Sequence, residues 1–155
     1  MMGRIEGRLR ELGHELPSAH APAGTYLPWR LSGRNLFIAG QGPMRLDGTA
    51  MTGRVGAELS IEDGQEAARA VALNLIAQVK DACGGDLDRV VRWVKLLGMV
   101  NAEPDFKNHA QVINGASDLI VDVFGEAGRH ARVAMGMVSL PFNISVEIDA
   151  VLEIQ

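Results

Sequence analysis

Residues 131–154 read ARVAMGMVSLPFNISVEIDAVLEI, and their alternation decides what fold the chain can adopt. Leu140-Pro141 divides the stretch into two predicted strands, Ala131–Val138 and Asn143–Ile154, because proline cannot donate to a strand ladder. In the second strand Ile144, Val146, Ile148, Ala150, Leu152 and Ile154 fall on one side. Ser145, Glu147, Asp149, Val151 and Glu153 fall on the other. A period of two buries one face and leaves the second polar or at an interface. The first strand has no polar side, since Val133, Met135 and Met137 oppose Ala134, Gly136 and Val138. A strand apolar on both faces in so small a protein predicts an oligomer.

Working outward, the segment 61–83 predicts the longest helix. Ser60 supplies a hydroxyl N-cap, Asp63 three residues later completes an acidic capping box, and Glu62 adds charge of the right sign to the first turn. Ala67, Val71, Leu75 and Val79 step by four, Ala70, Leu73 and Ile76 widen the stripe, and Gly84-Gly85 ends it. Val90–Val100 is β-branched and aromatic and predicts a strand. Pro104-Asp105 opens a second helix over roughly 108–125, with Val112, Ala116, Leu119, Ile120, Val123 and Phe124 inward and Gly125 as its breaker. Asn35–Ala39 predicts a short strand, Asp47-Gly48 a turn, and residues 4–12 a short helix stopped by Gly13. The proline-rich run from His14 to Arg30 predicts an extended surface arm. Two apolar helix stripes and a mixed β-sheet imply an α+β sandwich with both long helices on one face.

Composition narrows the function. At 155 residues, 47% hydrophobic and 22% charged, the chain predicts one domain with a substantial core over residues 1–155, residues 1–25 forming its N-terminal helix and arm. A net charge of −4 without a basic run argues against nucleic acid, whose affinity comes mostly from neutralised phosphates. Cys83 is the single cysteine, which excludes an intramolecular disulfide and a thiolate metal site. No apolar stretch predicts a membrane span or a signal peptide, so the expectation is a cytoplasmic protein.

Common catalytic signatures are absent: there is no G-x-S-x-G, Walker A, H-E-x-x-H or dinucleotide G-x-G-x-x-G. His14, His20, His109 and His130 form no i, i+4 pair and read as solvated loop histidines without a metal. Cys83, beside helix-ending glycines, reads as a filler. Arg132 stands out, because a guanidinium in an apolar strand is costly unless its planar fork meets an anion. Residue types alone leave two partners open: a bound carboxylate, or a structural acid such as Glu147 or Asp149.

Four landmarks together resemble the Rid family (reactive intermediate deaminase, or YjgF, formerly endoribonuclease L-PSP) over nearly the whole chain. They are Gly24-Thr25-Tyr26 with Gly40-Gln41; the long helix with Leu73 and Asn74 near its centre; Val112-Ile113-Asn114; and Ala131-Arg132, Leu140-Pro141 and Val146-Glu147-Ile148. FGEAGRHAR and NGASDL resemble a longer-chain subgroup. The resemblance implies a chorismate-mutase-like fold assembled as a homotrimer around a barrel-like core, with ligand clefts between subunits. It implies hydrolysis of 2-imino acids, or their enamine tautomers, to 2-oxo acids and ammonia, without metal or organic cofactor.

Carried over, Arg132 would grip the substrate carboxylate, Tyr26 line the pocket, and Glu147 hold or deprotonate the attacking water. Asn114, the Gly40 backbone and the backbone at Ala134 would complete the walls. Three departures bear on substrate more than on fold. Ala134 stands where many members have cysteine, Ala39 replaces a serine, and Thr25 replaces a proline before Tyr26. Two other functions remain open on these residues: a non-catalytic small-carboxylate binder or regulatory trimer, and the endoribonuclease of the older family name. The second is disfavoured by the acidic chain and by the lack of stacking aromatics beside basic residues.

Overall fold

The computed structural model describes residues 1–155. The elements are α1 (Arg4–Glu11), β1 (Trp29–Ser32), β2 (Asn35–Gln41), α2 (Ile61–Ala82), β3 (Val90–Asn101), α3 (His109–Phe124), β4 (Ala131–Met137) and β5 (Val146–Ile154). They form a mixed α+β fold with a five-stranded sheet in the order β1-β2-β5-β3-β4. β5 is central and antiparallel to both neighbours, whereas β3 and β4 run parallel and are joined through α3.

Local sequence explains most of these elements. Ser60 Oγ accepts from the Asp63 N–H at 3.0 Å and the Asp63 carboxylate accepts from the Ser60 N–H at 2.9 Å, closing the expected capping box. The alternation of β5 puts Val146, Ile148, Ala150, Leu152 and Ile154 in the core, each no more than 3% exposed. They meet Val71, Leu75, Ile76 and Val79 of α2 and Ile113, Ala116 and Ile120 of α3 in one buried cluster. The two helices approach closely because Gly64 and Gly115 stand where they touch. A Cβ at Gly115 would collide with the carbonyl oxygen of Gln65.

Several expectations need correction. The arm from His14, expected to run extended to Arg30, stops short of it, because Trp29–Ser32 is a strand forming a hairpin with β2. It turns through Gly33, whose φ of 61° suits a residue without a Cβ. Three of its four residues are exposed, so no apolar alternation announces it. The arm is also more than a surface run, because the buried Gln78 side chain donates to His20 O at 2.8 Å and ties the arm over α2.

Ser145 was placed on the polar side of a strand beginning at Asn143. The strand starts instead at Val146, because Phe142 and Asn143 take φ values of 57° and 58°, a left-handed pair that breaks extended structure. Ser145 is fully buried, with its hydroxyl donating to Met51 O at 2.9 Å. β4, apolar on both faces in sequence, is the last strand of the sheet, and Val133 and Met135 on its open side are 39% and 36% exposed, so the chain itself does not supply the cover expected for that face.

Candidate functional site

Strand register fixes where the candidate side chains stand. Leu96 pairs with both Ala150 and Arg132, so Arg132 shares the helix-facing row of the sheet with two core residues. Met99 pairs with both Glu147 and Met135, a row on the opposite, open face. The structural partners left open for Arg132 are therefore excluded within the chain. Both Glu147 and Asp149 project from the other side of the sheet, and Arg132 takes part in none of the chain's ion pairs.

Arg132 reaches along α3 instead. Its Nη1 donates to Ser117 Oγ and its Nη2 to Ala110 O, each at 3.0 Å. A guanidinium carries five N–H groups, so three remain for a ligand. They open into a groove between α3 and β4, bordered by Asp118, Asp122, Arg129 and His130. Asn114 is exposed and sits one helical turn from both Ala110 and Ser117, on the same side of α3 as the arginine, though not bonded to it. Ala134, two residues along β4, packs its methyl against the core. It can offer the groove only backbone.

On the open face, Glu147 lies beside Gly40. Between Ile38 and Gln41 the β2 ladder shifts register, so Ala39 and Gly40 together oppose the single residue Asp149. This bulge turns Gly40 toward the glutamate so closely that a Cβ there would collide with the Glu147 carboxylate. Burial pushes the Glu147 carboxyl above the ordinary glutamate range, and the neighbouring Asp149 charge adds to the rise. Asp149 is raised by burial too, with Lys95 pulling it back.

The Ala39 N–H donates to Pro28 O at 2.9 Å, so the chain carrying Tyr26 leaves the sheet near Gly40. The Tyr26 ring is half exposed, and its hydroxyl accepts from the Ala23 N–H at 3.1 Å, turned onto its own loop. The expected residues thus form two groups. Arg132, Asn114 and Ala134 stand on α3 and the helix-facing row of β4, whereas Gly40 and Glu147 meet on the far face, with Tyr26 in the arm before β1.

Two histidines expected in solvent are packed. The His109 ring stacks edge-on against Phe106 at 5.1 Å and covers Gly136. His130 bonds through both nitrogens, Nδ1 to Gly128 O at 2.7 Å and Nε2 with Ser117 Oγ at 2.9 Å. Desolvation lowers its pKa, the Gly128 carbonyl opposes that, and the Arg132 charge adds to the fall. No sequence signal announces the meeting of Ser117 and His130, which depends on how α3 crosses β4. No His, Cys, Asp or Glu cluster suitable for a metal occurs, and no helix is long and apolar enough to cross a membrane.

A family model described as "YjgF/chorismate_mutase-like, putative endoribonuclease" matches residues 6–152, and the chain belongs to that family. It is similar to Protein TCP17 of Trypanosoma cruzi, with 50% identity over 98% of this chain and 95% of the relative. The solved structure of Atu1372 from Agrobacterium tumefaciens, described as of unknown function, superposes with a TM-score of 0.91 and 51% identity, over 97% of this chain and 92% of that one. A protein from Shewanella oneidensis described as "a putative endoribonuclease" gives a TM-score of 0.93 and 36% identity, over 97% and 99%.

Proposed function

We propose that the protein hydrolyses 2-imino acids, or their enamine tautomers, to 2-oxo acids and ammonia. The observation that carries this reading is Arg132, a cation without a carboxylate partner whose three free N–H groups open into a groove. A 2-imino acid supplies the missing carboxylate, and a bidentate grip holds its C=N carbon in a defined place. Glu147 takes a proton from water as the C–O bond forms and passes it to the imine nitrogen. It then takes the proton of the new hydroxyl as the C=O bond forms and delivers it to the amino group, so that the C–N bond breaks and ammonia leaves. Its raised pKa suits a group that both accepts and donates a proton. No metal or organic cofactor is required by these steps.

Arg132 and Glu147 are two strands apart, about 9.5 Å laterally, and on opposite faces. One ligand can use both only where the Arg132 groove of one copy meets the Glu147 face of another. Inter-subunit clefts of a homotrimer would provide this, and would also cover Val133 and Met135. The second reading, a non-catalytic binder of small carboxylates, is favoured by the Tyr26 hydroxyl, which faces its own loop. The endoribonuclease reading is weaker, because the chain carries a net charge of −4 without a basic run to neutralise successive phosphates.

The test is generation of 2-iminobutanoate in situ with its hydrolysis followed in wild type and Arg132→Ala. Acceleration that disappears in the variant supports the deaminase. No acceleration, with 2-oxobutanoate still bound, supports the binder.

A further inference from the structure

The groove contains a hydrogen-bond chain that none of the expected site residues explains. It runs from Arg132 through Ser117 and His130 to the Gly128 carbonyl, with distances of 3.0, 2.9 and 2.7 Å. With a neutral imidazole, elementary donor–acceptor rules leave one arrangement for its protons. A carbonyl can only accept, so His130 Nδ1 carries hydrogen and, in the neutral ring, Nε2 is a lone pair. A guanidinium can only donate, so Ser117 Oγ accepts from Arg132. The single hydroxyl proton of Ser117 then goes to His130 Nε2. Depression of the His130 pKa is consistent with a neutral ring here.

The far end of the chain is rigid. Gly128 ends a short 3₁₀ turn, Gly125–Gly128, that packs hard on α3, and a Cβ at Gly128 would stand 2.6 Å from the carbonyl oxygen of Ile120. The turn thereby fixes the imidazole, the imidazole fixes the hydroxyl, and the hydroxyl fixes one corner of the guanidinium. Ala110 O holds a second corner.

We propose that Ser117 and His130 are positioning residues that hold the Arg132 guanidinium aimed into the groove for a 2-oxo or 2-imino carboxylate. This rests on the reading of Arg132 as the carboxylate anchor. Without the relay the arginine keeps its charge but regains side-chain freedom, and each binding event must order it again. The relay therefore governs affinity more than the chemical step.

The test measures 2-oxobutanoate binding by calorimetry and 2-iminobutanoate hydrolysis in Ser117→Ala, Ser117→Thr and Arg132→Ala. Ser117→Ala is expected to raise Kd and KM about tenfold while kcat changes by less than about twofold, the effect of losing one charge-assisted bond. Ser117→Thr, which keeps the hydroxyl, is expected to restore wild-type values. Nitrogen-15 NMR of the wild type, above the ordinary imidazole titration range, is expected to show His130 protonated at Nδ1 alone. Normal binding by Ser117→Ala alongside loss of binding in Arg132→Ala would overturn the relay and leave the anchor standing. Undiminished binding by Arg132→Ala would overturn the anchor itself. A His130 protonated at Nε2 overturns the relay even if no variant folds.

Discussion

Arg132 and Glu147 stand on opposite faces of one sheet, separated by the single strand β3. Leu96 shares its row with the arginine and Met99 shares its row with the glutamate. Under the proposed function each residue by itself would be half of a site for a small carboxylate, with binding and proton transfer divided between two surfaces.

Subunit mixing tests that division. Arg132→Ala and Glu147→Gln chains, each inactive alone, are unfolded and refolded together in equal amounts. If every site takes its arginine from one copy and its glutamate from another, about one quarter of sites regain both. Recovery of about a quarter of wild-type turnover is expected, and none if both groups must come from one chain.

Gly40→Ala should damage the glutamate without disturbing the core. The added methyl collides with the end of the Glu147 side chain, which can swing away, so the expected loss of stability is below about 1 kcal/mol. The displaced carboxylate no longer addresses the water, and kcat should fall about tenfold or more while 2-oxobutanoate binding holds. Equal losses in binding and kcat would contradict this assignment.

Glu147 also predicts a pH-dependent stability. Its carboxyl is raised in the folded state, so the fold favours the protonated form. That contribution is fully present below the unfolded carboxyl value of about 4.3 and is lost as pH rises through the folded value. Glu147→Gln removes the titration, so the variant should match wild type in acid and exceed it at neutral pH. The group is only half buried and water screens it, so the gain should stay below about 1 kcal/mol. Thermal melts at several pH values read the difference, and a variant less stable at neutral pH would refute it.

Gly115→Ala addresses the packing of α2 on α3. The new Cβ meets backbone at Gln65, which cannot rotate away, and separating the helices should cost about 1–3 kcal/mol. Urea denaturation should show a lowered midpoint with an unchanged slope. An unchanged midpoint would mean that the helices part freely.

Periodicity revealed faces and left neighbours undetermined. The alternation from Val146 to Ile154 correctly gave the buried side of β5, and Ser60 with Asp63 correctly marked the start of α2, because both signals are local. β1 escaped notice because an exposed edge strand has no apolar side to alternate. The partners of Arg132 stayed open for a related reason. Its place in β4 was legible, but the choice between Glu147 and Ser117 depends on which face β4 turns toward α3. His130 looked solvated because nothing in GRHAR encodes the helix that covers it.

The bulge in β2 makes the Gly40 end of the strand separable from the core in evolution and in engineering. Leu36 and Ile38 face the helices at even positions, whereas buried Gln41 does so at an odd one, so the strand changes parity between them. In a regular strand a one-residue deletion reverses every side chain beyond it and is ruinous. Deleting Ala39 instead makes the ladder regular, keeps Gln41 opposite Ile148, and leaves Gly40 as the single residue opposite Asp149. Such a chain should fold, as circular dichroism would report, with only the surroundings of Gly40 changed. The same backbone irregularity that sets Gly40 against Glu147 lets this end of the strand be rewritten without consulting the core.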